Sequence, residues 1–214
     1  NNSMPEETNR ILTDALSNYL FCSSDVSLQN LKKENNKRNV ILSGDLMKDL
    51  LIQTEEKLSA PIINEPYIFC TIHRDYNKNN KEKLNQLIQE LTNLNYAIIF
   101  PVHPATMITI QSLGLKIIND KYKNIHFLLP LTYTESIHYQ KFSKAIITDS
   151  GGIQKEAYWL KVPCFTFRIE TEWIETLKGN WNQLVYDDIN NIKELVKQPT
   201  CNYNTNLYGS GNAA

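Results

Sequence analysis

The 214-residue chain reads as an α/β protein whose parallel sheet is covered by helices on both faces. Three observations predict this. Short, unbroken apolar runs such as 67–71 and 145–148 have the length and composition of strands buried on both sides. Between them lie stretches of helical period, clearest at 80–94, where Leu84, Leu87, Ile88 and Leu91 share one side. Ionisable and flexible residues then gather directly after the apolar runs, at the strand ends where open α/β sheets bind ligands.

Taken in order, Pro5 with Glu6 and Glu7 opens a helix, because proline suits a first turn and carboxylates there offset the helix dipole. Ile11, Leu12, Ala15, Leu16 and Tyr19 continue it at helical spacing. The run 20–23 is predicted as a buried strand, Ser24 or Asp25 as the cap of a helix through Leu31, 39–42 as a strand and 46–57 as a helix. Two prolines mark 59–66 as the candidate linker. Beyond it strands are predicted at 67–71, 96–101, 125–129, 145–148, 164–167 and 183–185. The intervening helices are predicted at 80–94, 105–113, 133–142, 153–161, 172–179 and 190–196.

The composition excludes several classes of function. With 22 basic and 23 acidic residues the net charge is −1, which gives no footing for nucleic acid or an anionic membrane. A site for a phosphorylated small molecule would need local, backbone-borne positive potential. The four cysteines, Cys22, Cys70, Cys164 and Cys201, show no CxxC spacing, so neither a disulfide framework nor a zinc site is expected, and a reducing cytoplasm fits. No apolar stretch is long enough to span a bilayer.

The residues after the predicted strands are His73 and Arg74, His103, Tyr133, then Asp149-Ser150-Gly151-Gly152, then the stretch from Arg168 to Glu172. The strand-turn-helix at 145–156 places unpaired amides and a positive dipole end at one point, with glycines that let an anion approach and a serine hydroxyl beside them. On pattern alone the turn is as readily a capped helix start as an anion cradle. His73 beside Arg74 could meet a phosphate or move a proton, but a loop-capping role suits an arbitrary histidine better. His103 is read the same way, and His126 and His138 as structural. Glu6, Glu7 and Glu156 have a simple alternative in dipole compensation, Glu172 in a solvated acidic face, and Trp159, Trp173 and Trp181 in packing.

In this order the pieces resemble the non-hydrolysing UDP-N-acetylglucosamine 2-epimerases. The matching segments are 4–10 (Met-Pro-Glu-Glu-Thr-Asn-Arg), 71–74 with Asn77, 100–104, Pro130-Leu131 with Tyr133, 148–156, Gly179 with Asn182, and Tyr208-Gly209 with Gly211. The resemblance runs over essentially the whole chain. It implies two Rossmann-like domains of the GT-B type, with the active site between them and the first domain largely missing here. The domains would be 1–58 as the end of the first, 59–187 as the UDP-binding second, and 188–214 as a truncated C-terminal helix and tail.

The resemblance further implies elimination of UDP to a 2-acetamidoglycal and re-addition from the other face, without metal or nicotinamide cofactor. Position by position, it makes Glu6 and His73 catalytic. Ser150, Gly151 and Gly152 hold the diphosphate and Glu156 the ribose hydroxyls. Arg74, His103, Tyr133, Arg168 and Glu172 are further substrate-binding positions, Arg74 and His103 standing where some members bind a second, allosteric substrate. A homodimer is expected of the full-length enzyme, and an isolated chain of this extent is expected to be inactive. The family's Thr-Glu-Arg-Pro-Glu segment reads Thr171-Glu172-Trp173-Ile174-Glu175 here, which removes an arginine from the phosphate side. That form resembles epimerases of more elaborate sugars such as UDP-2,3-diacetamido glucuronates. A hydrolysing 2-epimerase and a UDP-binding chain without activity are the alternatives.

Overall fold

In the computed structural model, residues 5–34, 39–112, 123–198, 200 and 202–214 are described. The chain forms two compact units, residues 1–53 with 204–214, and residues 54–203.

The first unit holds helix α1 (Pro5–Leu16), strand β1 (Tyr19–Cys22), α2 (Asp25–Lys33), β2 (Asn39–Leu42) and α3 (Leu46–Glu55), whose last two residues belong to the second unit. Ser24 caps α2, its hydroxyl accepting from the Ser27 amide. β1 and β2 pair in parallel, and Leu20 and Cys22 turn inward onto Leu31. The expectation that 20–23 is buried throughout holds for alternate residues only. Tyr19 and Phe21 are exposed, because in a strand successive side chains point to opposite faces and α2 covers one of them.

The tail closes on this unit through α3. The Lys48 ammonium donates to the carbonyls of Thr205 (3.2 Å), Leu207 (3.3 Å) and Gly209. The Asp49 carboxylate accepts from the amides of Ala213 (2.8 Å) and Ala214 (3.1 Å). Gly44 and Gly209, both at positive φ, let two backbones touch: a Cβ on Gly209 would lie 2.9 Å from the Gly44 Cα.

The second unit is a six-stranded, all-parallel sheet. Its elements are β3 (Tyr67–Thr71), α4 (Asp75–Asn79), α5 (Lys81–Thr92), β4 (Ala97–Pro101), α6 (Pro104–Ser112), β5 (Ile125–Leu128), α7 (Tyr133–Lys141), β6 (Ala145–Thr148), α8 (Gly151–Trp159), β7 (Cys164–Thr166), β8 (Asn182–Leu184) and α9 (Ile192–Leu195). The spatial order is β5-β4-β3-β6-β7-β8, which in strands counted from β3 is 3-2-1-4-5-6, the Rossmann order. The predicted amphipathic face of α5 is buried as a whole, Leu84, Leu87, Ile88 and Leu91 packing with Ile68, Cys70 and Ile98 on one side of the sheet. The other side is closed by Phe69, Ile146 and Ala157 with Tyr139 and Ile153. Cys70 and Cys164 behave as small apolar residues, burial pushing the Cys164 thiol up to about 12. Among the described residues no helix is long and apolar enough to cross a membrane.

Two elements depart from the sequence-based reading. Residues 75–79 form the short helix α4, where a loop is predicted, and the predicted helix at 172–179 is a 310 segment, Ile174–Asn180, broken by non-helical φ/ψ at Lys178 and Gly179.

Replacing Gly209 with alanine combines an unfavourable positive φ with a backbone clash, so the first unit should lose about 2–4 kcal/mol. Urea unfolding measures the loss, and limited proteolysis should release the tail from the variant while sparing the parent chain.

Candidate functional site

In a sheet of this order the strand order reverses between β3 and β6, and the crevice outside their carboxyl ends is where ligands bind. The two strands are tied there by a 2.8 Å hydrogen bond between the Thr71 and Thr148 hydroxyls. Directly beyond lies Asp149, fully buried. Its carboxylate accepts from the backbone amides of His73 (3.1 Å) and Arg74 (2.9 Å) and from the Asn77 side-chain amide (2.9 Å), and His73 Nδ1 lies 3.2 Å away. The Arg74 Nε donates back to the Asp149 carbonyl at 3.1 Å, and Asn77 also donates to the Phe167 carbonyl at 3.0 Å. The segments after β3 and β6 thus meet on one carboxylate, and Asn77 ties in the segment after β7.

The turn then opens α8. The Ser150 amide donates to the Thr148 hydroxyl (3.0 Å), and the Ser150 hydroxyl accepts a long bond, 3.5 Å, from the Ile153 amide. Gly151 and Gly152 are the first helical residues rather than a turn before the helix. Glu156 therefore sits in the second turn, not the first, and dipole compensation no longer accounts for it. It is buried instead, and desolvation raises its pKa despite a 2.8 Å hydrogen bond from Gln140 Nε2. Beside it, burial and the Glu156 charge push the Tyr133 phenol up to about 12, and the buried Tyr133 hydroxyl has no hydrogen-bond partner among the described residues.

On the other side of the turn stand two arginines. Arg168 is buried, with Nη1 2.7 Å from a Glu172 oxygen, and Arg74 Nη2 lies 3.6 Å from the other. The Arg168–Glu172 contact is close but lies off the hydrogen-bonding direction, and Arg168 Nη1 makes no hydrogen bond among the described residues. The loop carrying these residues is pinned by a buried polar network. Gln154 Oε1 accepts from the Thr171 hydroxyl (2.6 Å) and from Asn182 Nδ2 (3.1 Å), while Asn182 Oδ1 accepts from the Thr166 hydroxyl (2.6 Å). Trp173 packs as expected, with Lys155 Nζ 4.2 Å from its ring centre.

His73 and His103 rim a cavity of about 180 Å³, floored by Phe69, Ile72, Leu131 and Ile153. The His103 Nδ1 accepts from the Ala105 amide at 3.2 Å, the loop-supporting role expected of it, which leaves Nε2 to carry the neutral ring's proton. His138 bonds the Ala60 carbonyl and is structural. A larger cavity, about 450 Å³, lies at the amino-terminal edge of the sheet by Pro61, Tyr96 and Lys144, away from the turn. Among the described residues no group of three or more His, Cys, Asp or Glu side chains is placed to hold a metal ion.

The structure therefore gathers His73, Arg74, Ser150, Gly151, Gly152, Arg168 and Glu172 at one point, with Glu156 further along α8, Tyr133 at the start of α7 beside it, and His103 across the small cavity. Glu6 lies in the first turn of α1, in the other unit, and its side chain is outside the described residues. The sequence-based reading overlooked what holds the site together: Asp149 as a hub rather than part of the turn's open face, and the Gln154–Asn182 bond. Their only signal is polar residues set among apolar ones beside a strand.

The family model described as UDP-N-acetylglucosamine 2-epimerase matches residues 1–214. The chain belongs to this family. It is 39% identical to a UDP-N-acetylglucosamine 2-epimerase homolog of Methanococcus maripaludis, over 99% of this chain and 62% of that protein. It is 34% identical to the UDP-2,3-diacetamido-2,3-dideoxy-D-glucuronate 2-epimerase of Pseudomonas aeruginosa, over 100% and 62%. Among solved structures, the Methanocaldococcus jannaschii UDP-GlcNAc 2-epimerase in complex with UDP-GlcNAc and UDP superposes with a TM-score of 0.83 at 30% identity, covering 99% of this chain and 62% of that one. The chain thus spans about 62% of the length of these 2-epimerase relatives.

Asp149→Ala strips the acceptor from two backbone amides and the Asn77 amide. A loss of about 3–5 kcal/mol in the second unit is expected in urea unfolding, with Asp149→Asn intermediate because one acceptor oxygen remains.

Proposed function

We propose that this chain is the nucleotide-binding part of a non-hydrolysing UDP-N-acetylglucosamine 2-epimerase, which interconverts UDP-GlcNAc and UDP-ManNAc for cell-surface polysaccharide precursors. One observation carries the reading. A helix start with Ser150, Gly151 and Gly152 stands beside two arginines, and a buried carboxylate, Glu156, follows at five residues past Gly151 on the same helix. Five residues rise about 7.5 Å along a helix. A nucleoside diphosphate would set its phosphates on the helix start and its ribose hydroxyls against Glu156 and Tyr133.

The chemistry follows from the charges. Breaking the anomeric C–O bond by elimination needs a base at C2 and stabilisation of the departing diphosphate. The helix amides, the Ser150 hydroxyl, Arg74 and Arg168 would meet the second need. His73, held by Asp149, and Glu6 would act on protons, and His103 would line the pocket. Re-addition of UDP with protonation at C2 from the other face completes the epimerisation, with neither metal nor nicotinamide. In this reading residues 1–58 close a first Rossmann-like domain, 59–187 form the UDP-binding one, and 188–214 are a truncated C-terminal helix and tail, whose last residues pack with the first unit. The enzyme is a cytoplasmic homodimer, and this chain alone is inactive. Trp173 and Ile174, where the family's segment carries arginine and proline, favour a second substrate, a UDP-2,3-diacetamido glucuronate, in line with the relative of that name.

Calorimetric titration of UDP into the chain tests the site. Ser150→Ala and Glu156→Ala should each weaken binding roughly tenfold, the worth of one charge-assisted hydrogen bond, and unchanged affinity in the double variant would reject it. Release of free ManNAc from UDP-GlcNAc by the full-length enzyme would instead identify a hydrolysing enzyme.

Glu156 also makes a pH prediction. Its folded pKa is raised, so the native state holds the proton more tightly than the unfolded one. Stability should therefore fall as pH rises from the ordinary carboxylate range through the raised value. Glu156→Gln should flatten that fall in a series of melting temperatures and leave neutral-pH stability equal or higher, while UDP affinity drops.

A further inference from the structure

We infer that Glu172 is a built-in counter-anion: its carboxylate occupies the seat the diphosphate would take, and a ligand using that seat must displace it. Glu172 then decides which anions enter. The inference rests on the UDP reading above.

Three observations place the carboxylate in the seat. Its two oxygens face the two arginines of the turn, Arg168 at 2.7 Å and Arg74 at 3.6 Å. It also lies on the first residue of α8, since a Cβ built on Gly151 would come within 2.6 Å of Glu172 Oε1. That is the open end of a nine-residue helix, where the backbone dipole favours negative charge. Finally, the Arg168 side chain is only 6% exposed, yet its Nη1 makes no hydrogen bond among the described residues. The guanidinium hydrogen-bonds Tyr76 elsewhere, but this nitrogen meets Glu172 by charge alone, its directed bond unspent.

The Glu172 side chain is 42% exposed, so it can leave without unpacking a core. Its backbone neighbours are fixed, Thr171 donating to Gln154 and the Trp173 amide donating to the Thr171 hydroxyl at 3.1 Å, so displacement is a rotation of one side chain and not of the loop. A diphosphate brings more charge and more acceptor oxygens than one carboxylate and can satisfy both arginines with directed bonds. A ligand without an anion leaves the pair undisturbed. With no ligand bound, Glu172 keeps two cations and a helix end from standing together uncompensated.

The test titrates UDP and uridine separately into the chain, its Glu172→Gln variant and its Glu172→Ala variant. UDP should bind roughly three- to twentyfold more tightly to both variants, because the partly exposed carboxylate no longer has to be displaced or repelled. Uridine affinity should not change. UDP binding to the variants as well as or less well than to the parent overturns the inference and makes Glu172 a bystander or a ligand, while the UDP site itself stands. Equal tightening of UDP and uridine overturns it too, since the effect would then have nothing to do with the anion seat. If UDP binds neither the parent nor the variants, both this inference and the UDP reading fall.

Discussion

The arrangement at the strand ends hangs on the burial of the Asp149 carboxylate. A carboxylate with no access to water is tolerated only where the protein replaces its hydration with donors. Here the donors come from His73, Arg74 and Asn77, all in the segment that follows β3, while Asp149 itself follows β6. The two segments flanking the switch point are therefore one piece, and neither can move without stranding a buried charge-bearing group or several amides. Asn77 extends the tie to the strand next along the sheet through the Phe167 carbonyl. Arg168 follows that residue directly, so the placement of one arginine and the backbone of the other trace to the same hub.

This is how a chain of net charge −1 could present the proposed anion site. The positive potential is assembled from a helix end and two guanidinium groups within reach of one another, and it is confined to the crevice. Such a field gives little long-range attraction for polyanions, whereas a compact ligand with closely spaced phosphates meets all its sources together. The second half of the site has the opposite character. Glu156 is buried among Gln140 and Tyr133, where burial raises its affinity for a proton, so it suits neutral hydroxyl groups and not a phosphate.

Much of the fold was legible in the sequence, because strand burial and helical period are strong signals where both faces of a sheet are covered. The strands at 67–71 and 145–148 have their predicted bounds, and the stripe of Leu84, Leu87, Ile88 and Leu91 is core. Legibility fails where three-dimensional partners decide. Phe21 belongs to an apolar run and is nevertheless exposed, because among the described residues α2 covers only the opposite face of β1. Residues 75–79 contain no helical stripe; α4 forms where its first turn follows backbone amides already held by Asp149. At the site, the residues at strand ends could be found by topology alone. Their direction could not: nothing in the order Asp149-Ser150 says that the aspartate turns inward and the serine outward.

The two readings that pattern alone left open for Ser150, helix cap or anion cradle, are not alternatives once its geometry is known. A hydroxyl has one donor and two acceptor sites, and capping uses only an acceptor, here on the Ile153 amide. The O–H remains a donor that an anion at the helix end, where the dipole favours negative charge, could take. At 3.5 Å the cap bond is long, so the hydroxyl is held loosely enough to turn toward a ligand and still keep the helix start from fraying. The same economy applies to Gly151. As a helical residue it carries the penalty glycine brings to any helix, and its missing side chain is what leaves room for a carboxylate to rest on its backbone. A residue with a Cβ would make a better helix but collide with that carboxylate, so the local weakness of α8 at its first turn is a condition of the site proposed there.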